Sequence, residues 1–118
     1  MRVETNINNT RPSFGVKVPD RLINSVRGYV NSGSNRLKKN YLLNKQLENY
    51  GNFGHDDYTI ELLQKTMGWD VEYSLVATRA TNSKEKIVLA KRNTYKQIIE
   101  IFLNLKKHEF NKKLSIKS

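Results

Sequence analysis

A histidine lies beside two carboxylic acids at one point in the sequence, His55-Asp56-Asp57. Such a group can bind a divalent cation or supply a general base. Adjacent residues rarely converge on one ion, and the other histidine, His108, lies far along the chain. The alternative is a solvated loop in which Asp56 or Asp57 shapes a turn. We favour this alternative and therefore predict no metal site.

Other chemical motifs are missing from the sequence. It has no cysteine, which excludes disulfides and thiol catalysis, and no nucleophile-elbow, Walker or dinucleotide-binding motif. Glu61 and Glu72 are expected on adjacent strands, where two carboxylates on one face would resemble a catalytic pair. Lysines nearby make a solvated face the simpler interpretation. We therefore predict a protein that is not an enzyme and needs no cofactor.

Positive charge dominates the composition, with 21 lysines and arginines against 11 acids and a net charge of +10. A protein this basic favours polyanionic partners such as nucleic acid or a ribonucleoprotein. The leading hypothesis is therefore a small binding module that contacts phosphates through point charges. The predicted contacts are Arg36, Lys38, Lys39, Lys91, Arg92 and Lys96. The competing explanation is compositional, because a genome rich in A and T favours lysine, asparagine and isoleucine.

The segment from residue 35 to 50 supports a second hypothesis. Its helical periodicity is poor, so Leu37, Tyr41 and Leu42 are expected to remain exposed among cations. This pattern suits an interaction or inhibitor module that binds an acidic partner protein through this helix or through a strand edge. An exposed apolar patch would favour a protein partner, whereas a continuous basic face would favour nucleic acid. A third hypothesis is an enzyme of unrecognised type centred on residues 55–57.

Three runs between residues 58 and 90 predict an antiparallel meander. The first two alternate apolar with polar side chains, as half-buried strands do, and the third is continuously apolar. Gly68 separates the first two runs, where a tight hairpin needs positive φ, and residues 81–84 separate the second from the third. The apolar members are Tyr58, Ile60, Leu62, Trp69, Val71, Tyr73, Leu75, Ala77, Ile87, Val88, Leu89 and Ala90.

A long helix is predicted from Thr94 towards Leu114. Thr94, with Gln97 three residues later, fits a capping box at its start. Ile98 and Phe102 recur at helical spacing and belong to a broad apolar stripe. We expect the stripe to cover the sheet and to contact Trp69, Tyr73, Leu75, Ile87 and Leu89.

The N-terminal third adds a strand and two helices to the prediction. Residues 13–18 alternate and end at Pro19, as an edge strand would. Helices are expected over residues 20–30 and 35–50, where apolar residues recur at helical spacing. The predicted order is strand, helix, helix, three-stranded meander and helix. Helices packed on one face of such a sheet make a small α+β domain.

A chain of 118 residues is expected to form one domain. We predict a flexible arm over residues 1–12, a single domain over 13–114 and a basic tail over 115–118. No apolar run approaches the about 20 residues of a membrane helix, and the N-terminus lacks the apolar core of a signal peptide. The expected setting is the cytoplasm, which the absence of cysteine also suits.

Overall fold

The computed structural model describes residues 15–117, except for the side chains of Ser83, Ile116 and Lys117. The elements of this part are α1 (Asp20–Asn31), α2 (Arg36–Gly51), β1 (Tyr58–Met67), β2 (Asp70–Arg79), β3 (Asn82–Arg92), α3 (Tyr95–Asn104) and α4 (Lys107–Lys117). The strands form an antiparallel sheet in the order β1-β2-β3, and the helices pack on it. The predicted α+β class is therefore confirmed. The predicted arm over residues 1–12 lies outside the described residues.

The β1–β2 hairpin is longer than the alternation predicts. β1 continues to Met67, five residues beyond the predicted end at Leu62. Gly68, with a φ of 64°, and Trp69 form the two-residue turn that follows. The prediction that Trp69 starts β2 and packs on the last helix is wrong, because its side chain is 101% exposed. Because Gly68 takes the first position of the turn, Trp69 takes the second position and does not pair with the opposite strand.

The predicted N-terminal strand is reduced to one parallel β-bridge at the edge of β1. The Lys17 N–H donates to the Tyr58 carbonyl at 3.0 Å, and the Ile60 N–H donates to the Lys17 carbonyl at 2.9 Å. Pairing ends there because Pro19 is the N-cap of α1, and its carbonyl accepts the first bonds of that helix. Residues 13 and 14 of the predicted strand lie outside the described residues.

The predicted C-terminal helix is two helices in the structure. Its start is confirmed, because Thr94 is the N-cap and its Oγ1 accepts the Gln97 N–H at 3.2 Å. α3 nevertheless ends before Leu105, which adopts an extended conformation with a ψ of 130°. Glu109 Oε1 then accepts the Lys106 N–H at 2.9 Å and caps the start of α4. The prediction of one continuous helix is therefore wrong.

The core lies between the helical layer and the inner face of the sheet. The register places Ile60, Ala77 and Ile87 side by side on that face. Burial of a large apolar side chain contributes about 1.5–3 kcal/mol relative to exposure. The buried apolar side chains of the described helices are Leu22, Val26, Val30, Leu43, Tyr50, Ile98, Ile99, Phe102 and Phe110.

Candidate binding surface on the second helix

The second half of α2 is joined to the C-terminal end of α3. Gln46 is 4% exposed, and its Nε2 donates to the carbonyls of Phe102 at 3.1 Å and Leu105 at 2.7 Å. The Tyr50 hydroxyl donates to the same Phe102 carbonyl at 2.5 Å. The last carbonyls of a helix have no partner within it. These side-chain donors satisfy them, which explains why α3 ends at this point.

Tyr50 lies within an aromatic cluster. Its ring centroid is 5.0 Å from that of Phe53 and 5.1 Å from that of Phe102. Burial raises the pKa of Tyr50 far above its ordinary value, because a phenolate would lose its hydration, and the hydrogen bond to Gln46 only partly opposes this rise. The hydroxyl is therefore a neutral hydrogen-bond donor, and its role is structural.

The first half of α2 presents apolar side chains to solvent. Leu37, Tyr41 and Leu42 are 83%, 62% and 41% exposed, which confirms the prediction for this segment. Leu37 and Tyr41 are four residues apart and share one face of the helix. That face lies opposite the side that buries Leu43 and Tyr50. The fold therefore leaves two large apolar side chains together in water.

Hydrogen bonds from α1 hold α2 through polar residues close to Leu37 and Tyr41. Asn40 Nδ2 donates to Asn31 Oδ1 at 2.5 Å, and Arg27 Nη2 donates to Asn44 Oδ1 at 2.9 Å. Asn31, later in α1, pairs with Asn40, earlier in α2, whereas Arg27, earlier in α1, pairs with Asn44, later in α2. α1 and α2 are therefore antiparallel. Neither pair involves Leu37. α1 therefore holds the helix through polar side chains next to Leu37 and Tyr41, and these two apolar side chains stay exposed.

The six predicted phosphate contacts form two patches on different elements. They are Arg36, Lys38 and Lys39 in the first turns of α2, and Lys91, Arg92 and Lys96 where β3 leads into α3. All are exposed except Lys39, which is half-buried. Within the described residues, none of them takes part in an ion pair. The contacts that join α2 to α3, through Gln46 and Tyr50, lie at the opposite end of each helix.

His55 and Asp57 have structural partners. His55 adopts a left-handed conformation with a φ of 60°, and its Nε2 lies 2.8 Å from Asn111 Oδ1 on α4. Asp57 Oδ2 pairs with Arg79 Nε at 3.2 Å, and Arg79 also pairs with Glu85 at 3.2 Å. Across residues 15–117, no three histidine or acidic side chains are grouped so that they could hold a metal ion.

Glu61 and Glu72 do not form a pair. The register places Glu61 opposite Val76, and Glu72 opposite Lys65, four residues further along β1. Four residues of a strand span about 13 Å, too far for two carboxylates to act together. Glu61 instead accepts a hydrogen bond from Thr78 at 3.1 Å, and Lys86 and Arg21 lie within 3.6 Å and 3.7 Å of its carboxylate. It belongs to a solvated polar face, as the simpler interpretation holds.

The exposed end of the β1–β2 hairpin is the feature that sequence reasoning missed. The pairing of β2 with β3 ends at Tyr73 opposite Arg92, so the hairpin continues beyond β3 as two strands. Trp69 lies in its turn, and Met67 and Leu63 are 42% and 40% exposed on β1. The one sequence signal for this arrangement is Gly68, because a glycine-initiated turn removes the next residue from the strand.

None of the helices described between residues 15 and 117 combines the length and apolarity needed to span a bilayer. Comparisons of the chain with protein-family models, with curated proteins and with solved structures found no match.

Proposed function

We propose that this protein is a small binding module without catalytic machinery, in which the first half of α2 docks an acidic segment of a partner protein. The observation that carries the proposal is the exposure of Leu37 and Tyr41, at 83% and 62%. Large apolar side chains that a fold leaves exposed together are typical of protein-interaction sites. A cytoplasmic setting is part of the proposal, and the cysteine-free sequence suits it.

Docking would remove both side chains from water. Burial of apolar surface contributes about 25 cal/mol per Å², so a partner that covers both residues gains roughly 2–4 kcal/mol. The helix also carries Arg36, Lys38, Lys39 and Lys45 against one acid, Glu48. Lys38 and Lys45 lie beside the face of Leu37 and Tyr41, and cations next to an apolar centre favour an acidic partner and accelerate its association at low salt. The chemistry of the surface thus specifies a segment that combines acidic with apolar residues.

Selection from a display library of short random peptides tests this proposal. We expect the selected peptides to be rich in acidic and apolar residues. Their affinity should fall at least about tenfold for the variant Leu37→Ser, Tyr41→Ser, since each lost contact contributes about 1 kcal/mol or more. Val88→Ser is the matched control, because Val88 is 42% exposed on the outer face of the sheet. Peptides that bind the double variant as tightly as the natural chain would reject this surface.

Nucleic-acid phosphates are a second candidate ligand, favoured by the patch where β3 leads into α3. Lys91, Arg92 and Lys96 are exposed and form no ion pair within the described chain. Tyr73 lies opposite Arg92 on the neighbouring strand. The ring centroid of Tyr73 lies 5.5 Å from that of Tyr95. Cations beside aromatic rings can bind phosphates and stack on unpaired bases.

Binding to duplex DNA, duplex RNA and single strands, at low and physiological salt, tests this second candidate. A shaped site should prefer one form and survive physiological salt, whereas non-specific attraction weakens steeply for every form. The informative variant is Lys91→Ala, Arg92→Ala, Lys96→Ala. The matched control removes the same charge from the start of α4 and the residue before it, as Lys106→Ala, Lys107→Ala, Lys112→Ala. Equal weakening by both variants would reject the patch.

The first cation patch is tested in the same assay with the variant Arg36→Ala, Lys38→Ala, Lys39→Ala. If nucleic acid binds both predicted patches, this variant and the one at the end of β3 should each weaken binding and lower its salt dependence. If α2 serves a protein partner, the α2 variant should reduce affinity for acidic peptides and leave any nucleic-acid binding as in the control.

A further inference from the structure

The outer edge of β1 carries main-chain groups that the described part of the fold does not use. The Ile60 N–H points outward, because it donates to the Lys17 carbonyl at 2.9 Å across the edge. N–H and C=O directions alternate with a period of two along a strand paired on one side. Leu62, Gln64 and Thr66 therefore also present their N–H and C=O groups outward. No described residue pairs with them, since the Lys17 bridge stops at Ile60.

The two edges of the sheet differ in how they are protected. The β3 edge carries the cations Lys84, Lys86, Lys91 and Arg92, and charge on an edge strand discourages pairing with other chains. From Leu62 to Met67, β1 carries one charge, Lys65, and no proline. Its exposed apolar side chains continue to Trp69 in the turn. The β1 edge thus lacks the usual devices against strand addition.

A cavity of about 240 Å³ lies where the covered part of the edge ends. Pro19 and Leu22 of the α1 side and Leu62 of β1 give it an apolar lining, and Arg21 and Glu61 lie at the same opening. A strand added beside Leu62 would direct alternate side chains towards α1, that is, into this cavity. An apolar side chain of an incoming segment would enter it and cover part of its apolar lining.

We propose that the edge from Leu62 to Thr66 binds an extended peptide segment of a partner protein, which adds to the sheet as a fourth strand. Only a polypeptide backbone matches alternating donors and acceptors at this spacing. The edge already pairs in parallel with an extended segment of its own chain at Lys17. Lys65 and Arg21, whose side chain is 81% exposed, flank the site, and Glu61, which lies 3.7 Å from Arg21, is the one acid lining the cavity. Two cations against one acid favour a segment that combines alternate apolar residues with acids. This site is separate from the surface on α2.

Nuclear magnetic resonance with synthetic peptides tests the proposal. The probe is a short peptide of alternating glutamate and valine, compared with the same peptide N-methylated at alternate residues, which cannot pair. We expect the unmethylated peptide to shift and protect the amides of Leu62, Gln64 and Thr66, and the N-methylated peptide to leave them unchanged. Shifts confined to scattered lysines, or equal effects of both peptides, would overturn the proposal.

A pair of variants at Gln64 separates strand addition from other binding. Gln64→Pro removes one outward N–H, and proline is tolerated on an edge strand where its nitrogen faces out. It should weaken the glutamate-valine peptide about tenfold, the loss expected for one hydrogen bond with its distorted neighbours. Gln64→Thr keeps the N–H and should bind as the natural chain does. Binding that Gln64→Pro leaves unchanged would refute strand addition, and the comparison of the two peptides stands even if this variant folds poorly.

Two further controls make the outcome specific. Leu37→Ser, Tyr41→Ser should leave peptide binding at the edge unchanged, so failure of the α2 proposal and failure of this one are distinguishable. Light scattering over a range of concentrations should show that the natural chain is no more dimeric than Gln64→Pro. The outcome to exclude is a dimer of the natural chain that Gln64→Pro abolishes. Such a dimer would mean that a second copy occupies the edge, and it would overturn the assignment to a partner peptide.

Discussion

The two halves of α2 are built in opposite ways. In the second half, Gln46 and Tyr50 are buried and donate to the carbonyls that end α3. In the first half, Leu37 and Tyr41 are equally large but face water. α1 holds that half through polar side chains, such as Asn40, and leaves the Leu37 and Tyr41 side chains exposed. One helix thus combines residues that the core buries, such as Leu43 and Tyr50, with Leu37 and Tyr41, which the fold leaves in water.

The largest expected effect is in the structural half, with Tyr50→Ala. The change removes a fully buried ring and its hydrogen bond to Phe102, so we expect it to lower the free energy of unfolding by about 3–5 kcal/mol. Urea denaturation followed by circular dichroism measures the loss. Tyr41→Ala is the matched change in the other half and should alter stability by about 0.5 kcal/mol or less. Similar losses for the two variants would contradict the contrast between the halves.

Gln46→Leu should have the next largest effect. Leucine fills similar space but donates no hydrogen bond, so the Leu105 carbonyl loses its 2.7 Å bond in a buried position. A buried acceptor without a partner costs about 1–3 kcal/mol. Urea denaturation measures this, and faster amide exchange at the α3–α4 junction should accompany it. Lys45→Leu, an adjacent exposed change, should leave both measurements unchanged. If Lys45→Leu lowers stability or speeds amide exchange as Gln46→Leu does, the loss in Gln46→Leu is not specific to the buried hydrogen bond.

The pH dependence of stability gives a smaller effect in the same half. The folded pKa of Tyr50 lies above its unfolded value of 10.0, because burial disfavours the phenolate. Its contribution is therefore complete below about pH 10 and is lost as the pH rises, by roughly 1 kcal/mol at pH 11. The free energy of unfolding of the natural chain should fall over this range more steeply than that of Tyr50→Phe. Parallel slopes for the two proteins would show that Tyr50 does not titrate on unfolding.

Features set by neighbouring residues could be predicted from the sequence. Alternation located the meander, and the pair Thr94 and Gln97 located the start of α3. The poor periodicity of residues 35–50 predicted that Leu37 and Tyr41 remain exposed. Each of these patterns lies within one or two turns or one strand, so it does not depend on how distant elements pack.

Features set by distant residues could not be predicted. The end of α3 depends on Gln46, which lies 59 residues before Leu105. Alternation fits Trp69 both as a strand residue and as a turn residue, and only the turn geometry at Gly68 decides between them. No local pattern shows whether the cations of α2 and those beside Lys96 lie on one face. That prediction stays open to the nucleic-acid assay.

The most direct test of the central claim is a paired measurement on the variant Leu37→Ser, Tyr41→Ser. Its free energy of unfolding and its affinity for an acidic, apolar peptide selected on the natural chain are measured under one set of conditions. We expect stability to change by about 0.5 kcal/mol or less and affinity to fall at least about tenfold. A large loss of stability with unchanged affinity would contradict the account, because the first half of α2 would then be structural.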